Sequence, residues 1–121
     1  MPLTISVITP SLNQAEFLPR TIASVKAQTA AASEHIILDP GSTDGSRDIA
    51  AAEKTVTLIA EPDNGQADAV ARGMLTARGD IIAWLNSDDE YHDETVFQTV
   101  IDAFQSEDRP DIVYGAAIYI G

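Results

Sequence analysis

Ile81-Ile82-Ala83-Trp84-Leu85 runs directly into Asn86-Ser87-Asp88-Asp89-Glu90. Five apolar residues without alternation are the pattern of a strand covered on both faces, with Trp84 in the core, and the acidic stretch that follows must leave the sheet as a loop. A strand of that kind belongs to a parallel sheet sandwiched by helices, so the flanking sequence should alternate strand and helix.

It does. Ile5 to Thr9 is β-rich and is stopped by Pro10, which cannot donate to a ladder. Leu18, Ile22 and Val25 recur at helical spacing within Gln14 to Gln28, with Pro19 near the start. His35 to Leu38 is a short apolar run that breaks at Asp39-Pro40-Gly41-Ser42-Thr43-Asp44-Gly45, a cluster of turn formers. Ser46 to Glu53 makes a short helix, and Val56 to Ala60 a third strand closed by Glu61-Pro62-Asp63-Asn64-Gly65. Gln66 to Ala77 is helical, with Val70 and Met74 on one face, Ala67 and Ala71 for close packing, and Gly79 as the stop. Beyond the opening stretch, Glu94 to Gln105 is amphipathic with Asp93 as N-cap, and Asp111 to Tyr114 and Ala116 to Ile120 read as short strands. The fold class is therefore α/β: a mainly parallel, Rossmann-like sheet with right-handed crossovers and helices on both faces.

Composition narrows the function. With 121 residues the chain is one domain at most, and 45% apolar residues suffice for a core. Its 19 acidic and 7 basic residues give a net charge of −12, which opposes nucleic-acid binding. Cysteine is absent, removing thiolate nucleophiles and thiolate metal sites. No apolar run approaches the length of a membrane span, and Met1-Pro2-Leu3-Thr4-Ile5 is no secretion signal, so a cytoplasmic address is the default.

In such sheets ligands gather outside the carboxyl ends of the strands. Adjacent carboxylates at Asp88 and Asp89 repel unless solvated or neutralised, and Mg2+ or Mn2+ is a suitable hard cation; a solvated turn capping the next helix is the bland alternative. Asp39 fits either an Asx-turn or a ligand acceptor, beside a loop whose Gly41, Ser42, Thr43 and Asp44 suit a base or ribose. Asp68 either faces a ligand or favours its helix dipole. Arg72 and Arg78 could meet a diphosphate, whereas His35 and His92 are too isolated for a zinc site. No P-loop and no Gly-x-Gly-x-x-Gly fingerprint is present.

Ile5 to Asn13, Leu38 to Ser46, Asp63 to Ala69 and Gly79 to Asp89, in this order and spacing, resemble the donor-binding half of family-two, GT-A fold glycosyltransferases. The resemblance runs through almost the whole chain. It implies transfer of a sugar, with inversion, from a nucleotide-diphosphate sugar, most commonly a UDP-sugar, to a glycan or lipid-linked acceptor in polysaccharide, cell-wall or other glycan biosynthesis. It implies that Asp39 holds the base, with Pro10, Ser11 and Leu12 lining the same pocket and Gly41 and Ser42 beside it. Asp88, with Asp89, would bind Mg2+ or Mn2+; Asn86 and Ser87 would line the nucleotide site, and Asp89 and Asp68 would meet ribose or sugar hydroxyls. Asn86 stands at the first position of the family's DxD-type motif, Leu12 where an aromatic residue is frequent, Pro40 where Asp or Gly is common, and Ala71 where Asn is frequent.

The family's catalytic base lies beyond the matched region. Residues 1–121 are therefore expected to form a single donor domain of a longer, hexosyltransferase-like enzyme whose acceptor part is missing, a truncated piece that binds nucleotide sugar weakly and transfers little alone. Association with the inner face of a membrane stays open. The competing readings are a non-catalytic nucleotide-binding or regulatory module and, further off, a receiver-like signalling domain or a nucleotidyltransferase. The last two want an acidic pair or a basic Gly-rich loop after the first strand, and Pro10-Ser11 followed by Gln14-Ala15-Glu16 supplies neither.

Overall fold

In a computed structural model that describes residues 3–113, the apolar runs become four strands: β1 (Ile5–Pro10), β2 (Glu34–Leu38), β3 (Val56–Ile59) and β4 (Ile81–Trp84). They form one parallel sheet in the order β3-β2-β1-β4, with Val7 opposite both His35 and Ala83. The intervening helices are α1 (Leu18–Lys26), α2 (Ser46–Ala52) and α3 (Gln66–Thr76), followed by α4 (Val96–Phe104). None of the described helices is long and apolar enough to cross a membrane.

The chain steps from β1 to β2 to β3 in one direction, then returns to place β4 on the other side of β1. Because crossovers are right-handed, the reversal moves the connecting helix to the opposite face. Thus α1, α2 and α4 cover one face: Leu18, Ile22, Ile37 and Ala50 form one cluster, and Val7, Val25, Leu85, Phe97 and Ile101 belong to another. On the other face α3 packs Ala69 onto Ile8, Ile36 and Leu38. At Gly73 a Cβ would lie 2.5 Å from Ile8 Cγ2, so the missing side chain is what lets α3 approach β1. The reversal between β1 and β4 is the point in such a sheet where a crevice opens.

Several local expectations change. Ala67 and Ala71 are exposed; Ala69 and Gly73 make the close packing instead, and Met74 is 48% exposed. β4 is covered on one face only. Ile82 and Trp84, in register with Ser6 and Ile8, share the face of α3, but α3 sits over β1 and β2, leaving them 40% and 55% exposed. Trp84 is therefore no core residue. Gly79 does not end α3, which stops at Thr76 with Ala77 already extended; a Cβ at Gly79 would meet Ser6 N at 2.6 Å. β1 continues through Pro10, which lies opposite Leu38 at the end of the ladder, the next amide, Ser11 N, donating to Leu38 O. α1 starts only at Leu18, after a turn on the Gln14 carbonyl. Thr95, not Asp93, occupies the N-cap position of α4; Asp93 Oδ1 accepts from Thr95 N and Oγ1 just before it. Asp111 to Val113 are not in a strand, while Tyr114 and the expected strand Ala116 to Ile120 lie outside the described residues.

Candidate functional site

Three loops meet at the carboxyl ends of the strands. After β1 the chain turns at Asn13, whose positive φ of 54° suits a short polar side chain that bonds locally. Asn13 Oδ1 accepts from Thr43 N at 2.8 Å, Asn13 N donates to Ser42 Oγ at 2.9 Å, and Asp44 Oδ2 accepts from Ala15 N at 2.9 Å. The loops after β1 and β2 are thus sewn together. Asn13 was missed by sequence reasoning, because its partners lie thirty residues away.

Asp39 is 1% exposed. Its Oδ1 accepts from Gly41 N at 2.9 Å and Ser42 N at 2.8 Å, an Asx-turn, with Arg47 Nη2 3.4 Å away. Burial pushes this carboxyl up, but the Ser42 amide and hydroxyl, the Gly41 amide and the Arg47 guanidinium outweigh it and hold Asp39 below the usual carboxylate range. Asp39 is therefore an ionised group under cover, with no hydrogen bond to Oδ2 among the described residues. Asp44 is also held low, by the amides of Ala15 and Ser46.

The loop after β4 is held differently. Thr21 Oγ1, on α1, lies 2.9 Å from Ser87 O and 2.6 Å from Asp89 O. Asp89 N donates to Asn86 O, and Asn86 Oδ1 accepts from Trp84 Nε1 at 2.9 Å and Gln66 Nε2 at 2.7 Å. The Asp88 carboxylate makes no hydrogen bond among the described residues.

Between these loops and the start of α3 lies an open cleft of about 340 Å3. Pro10, Ser11, Leu12, Asn86, Ser87 and Asp88 all line it. Ser11 Oγ is buried and has no hydrogen-bond partner among the described residues, a state that invites a ligand atom. Asp39 does not reach the wall, which is formed on either side of it by Leu38 and Pro40, and Gly41 and Ser42 are not part of the lining. Asp68 is also away from the cleft: its Oδ2 accepts from Asn64 N and lies 3.3 Å from Arg72 Nε, so it secures the first turn of α3. Arg72 is further committed to Pro62 O and Glu61. Asp89 is outside the lining, its Oδ2 3.4 Å from Asn86 Nδ2. His35 is buried against Thr9 Oγ1 at 2.8 Å, and burial lowers its pKa to about 4. His92 pairs with Asp93 on the surface.

Gln14, Asp63, Gly65 and Gln66 line the cleft without having been singled out. The last two bring the amino end of α3, which favours negative charge, and the Asn64-Gly65 turn before the helix was the available signal.

Among the described residues no three His, Cys, Asp or Glu side chains converge as a metal cage. Mg2+ and Mn2+ need no such cage where phosphates complete the shell: one or two carboxylates suffice. Asp88, unbonded and on the wall, fits that mode.

Residues 6–121 match the family model described as Glycosyl transferase family 2. An uncharacterised glycosyltransferase of Nostoc sp. is 34% identical over 124 residues, covering 98% of this chain and 38% of that protein. A mannosyltransferase from Pyrobaculum calidifontis, solved in complex with GDP-Man and Mn2+, superposes with a TM-score of 0.77 at 21% identity, over 88% of this chain and 34% of its own. Glucosyl-3-phosphoglycerate synthase from Mycobacterium tuberculosis, solved with Mn2+, UDP and glucosyl-3-phosphoglycerate, does so with a TM-score of 0.62 at 27% identity, over 73% and 36%. The chain thus spans well under half the length of each.

Proposed function

The chain belongs to glycosyl transferase family 2, and from that membership we propose that its cleft binds the nucleoside diphosphate of a nucleotide-sugar donor, UDP-sugars foremost, for transfer to a glycan or lipid-linked acceptor. The observation that carries the reading is the cleft at the β1/β4 reversal, lined by the amino end of α3 and by Ser11 and Asp88, whose hydroxyl and carboxylate have no hydrogen bond among the described residues. Dipole and carboxylate together suit a diphosphate neutralised by a cation.

In this reading Pro10, Ser11 and Leu12 border base and ribose. Asp39, ionised and with no hydrogen bond to Oδ2 among the described residues, is the acceptor for an N–H of the base edge, and Gly41 and Ser42 keep its other oxygen occupied. Asn86 and Ser87 shape the diphosphate end, and Asp68 contributes by holding the start of α3. Asp88 holds Mg2+ or Mn2+, with Asp89 adjacent. The ion supplies electrostatic stabilisation of the charge that grows on the departing diphosphate. Transfer is with inversion of a hexose-like sugar in glycan biosynthesis, in a cytoplasmic setting or at the inner face of a membrane. No residue of this chain is assigned as the base that deprotonates the acceptor, so residues 1–121 bind donor and transfer little alone.

The test is a calorimetric titration with UDP, GDP and CDP, with and without Mn2+, on the chain and on Asp88→Ala. UDP is expected to bind more tightly with Mn2+, and Asp88→Ala to remove that gain, at least about tenfold if the carboxylate is a direct ligand. If no nucleotide binds, or the gain survives in Asp88→Ala, the reading fails.

A further inference from the structure

Thr21 is a polar residue on the buried face of α1, next to Ile22 and one turn from Leu18 and Val25, and it is 1% exposed. A helical threonine ordinarily bonds back to the carbonyl four residues earlier. That carbonyl, Phe17 O, is 3.4 Å away, whereas Ser87 O is at 2.9 Å and Asp89 O at 2.6 Å. The hydroxyl has one proton, shared between the carbonyls on either side of Asp88.

The same helix and the residue just past its C-cap grip the loop further along. Ser24 Oγ accepts from Tyr91 N at 3.1 Å; Gln28 Nε2 donates to Asp93 O at 2.6 Å, and Gln28 Oε1 accepts from Phe97 N at 2.9 Å. Thr21 and Ser24 form a polar stripe on α1, which Gln28 continues just past the helix end. The stripe takes only backbone groups and leaves the Asp88 side chain free.

We propose that Thr21 is a positioning residue for the metal-binding carboxylate: by bridging the carbonyls of Ser87 and Asp89 it fixes the backbone from which Asp88 projects. The inference rests on the assignment of Asp88 as the ligand of a divalent cation. Removing a partner hydrogen-bonded to a metal ligand typically costs 10- to 100-fold in affinity, and Thr21, acting one step further back through the carbonyls that flank Asp88, is expected at the lower end of that range. Thr21 could not be found from the sequence as a partner of residues 66 and 68 positions away, although a polar residue beside Leu18, Ile22 and Val25 on an apolar helix face was a signal.

Four proteins test it: the chain, Thr21→Val, Thr21→Ser and Asp88→Ala. Valine keeps the shape and removes the hydroxyl; serine keeps the hydroxyl. UDP affinity is measured with and without Mn2+, and amide exchange is followed through the loop and the sheet. In Thr21→Val the metal-free affinity should stay within about twofold while the gain from Mn2+ falls by about tenfold. The amides of residues 86–91 should exchange faster, with those of β1 and β2 still protected. Thr21→Ser should restore both. A purely structural threonine would lower sheet protection and leave the Mn2+ gain intact. If Thr21→Val keeps the full gain while Asp88→Ala loses it, the positioning role is overturned and the metal reading stands. If Asp88→Ala keeps the gain, the metal reading falls and takes this inference with it. Thr21→Cys, whose thiol is a weak donor, applies the same criteria should valine unfold the sheet.

Discussion

The loops after β2 and β4 flank β1, and Asp39 and Asp44 in the first and Asp88 in the second put their carboxylates to opposite uses. After β2, Asp39 Oδ1 and both Asp44 oxygens accept from the amides of Gly41, Ser42, Ala15 and Ser46. After β4 the stretch around Asp88 is held by its carbonyls, through Thr21, and the Asp88 carboxylate has no hydrogen bond among the described residues, although Asp93 further on accepts from Thr95 N. An acidic residue becomes structural where the backbone turns its amides inward, and available where another element supplies the donors. The residue type is the same in both cases, so the difference lies in who satisfies the main chain.

The largest effect should come from breaking the self-satisfied loop. Asp39→Ala leaves the part-buried Gly41 and Ser42 amides without their acceptor and takes the carboxylate from Arg47, which keeps the Asp39 carbonyl, and should cost about 2 kcal/mol of stability, read as a lower urea midpoint at unchanged slope. Asp39→Asn, which keeps one acceptor oxygen, should cost less. A cost for Asp39→Ala no greater than that of a surface substitution would erase the contrast between the loops.

The same contrast has a pH signature. Asp39 has a lowered folded pKa, so the unfolded chain binds its proton first on acidification. Its contribution is complete above the unfolded value of about 3.9 and is lost as pH falls through the folded value. The acid limb of the stability curve should therefore be shallower in Asp39→Asn than in the wild type. An identical limb would mean that folding leaves the Asp39 pKa where it is in the unfolded chain.

Much of the contrast was readable beforehand, and the unreadable part has a common cause. Strand and helix order followed from apolar spacing, since Ile5 to Thr9, His35 to Leu38 and Ile81 to Trp84 are local patterns. The acidic loops were legible as strand ends. What a one-dimensional pattern could not carry was which neighbour covers what. Ile81 to Leu85 read as doubly covered, but α3 leans over β1 and β2 and leaves Trp84 exposed. Gly79 read as a helix stop, but its reason is the main chain of Ser6 73 positions away. Likewise Asp68 was open between ligand and helix, and the contacts of its carboxylate with Asn64 and Arg72 lie within four residues, a local option that spacing alone could not rank. Asn13, Thr21 and Gln28 act on backbone groups distant in sequence, and backbone groups leave no trace in residue type.

The smallest expected effect sharpens the comparison most. Asp88→Asn removes a charge from a side chain that bonds to nothing among the described residues, on the wall of an open cleft. Substitutions away from packed or hydrogen-bonded features stay within about 0.5 kcal/mol, so the urea midpoint should hardly move. Relief of repulsion with neighbouring Asp89 and Glu90 would, if anything, raise it slightly, and more at low ionic strength than at high. A drop of the size expected for Asp39→Ala would show that the Asp88 carboxylate holds the loop, as Asp39 does. A flat or slightly raised midpoint, together with loss of the Mn2+ gain, would separate a group kept for a ligand from one kept for the fold, because only the former can be neutralised at no cost to stability.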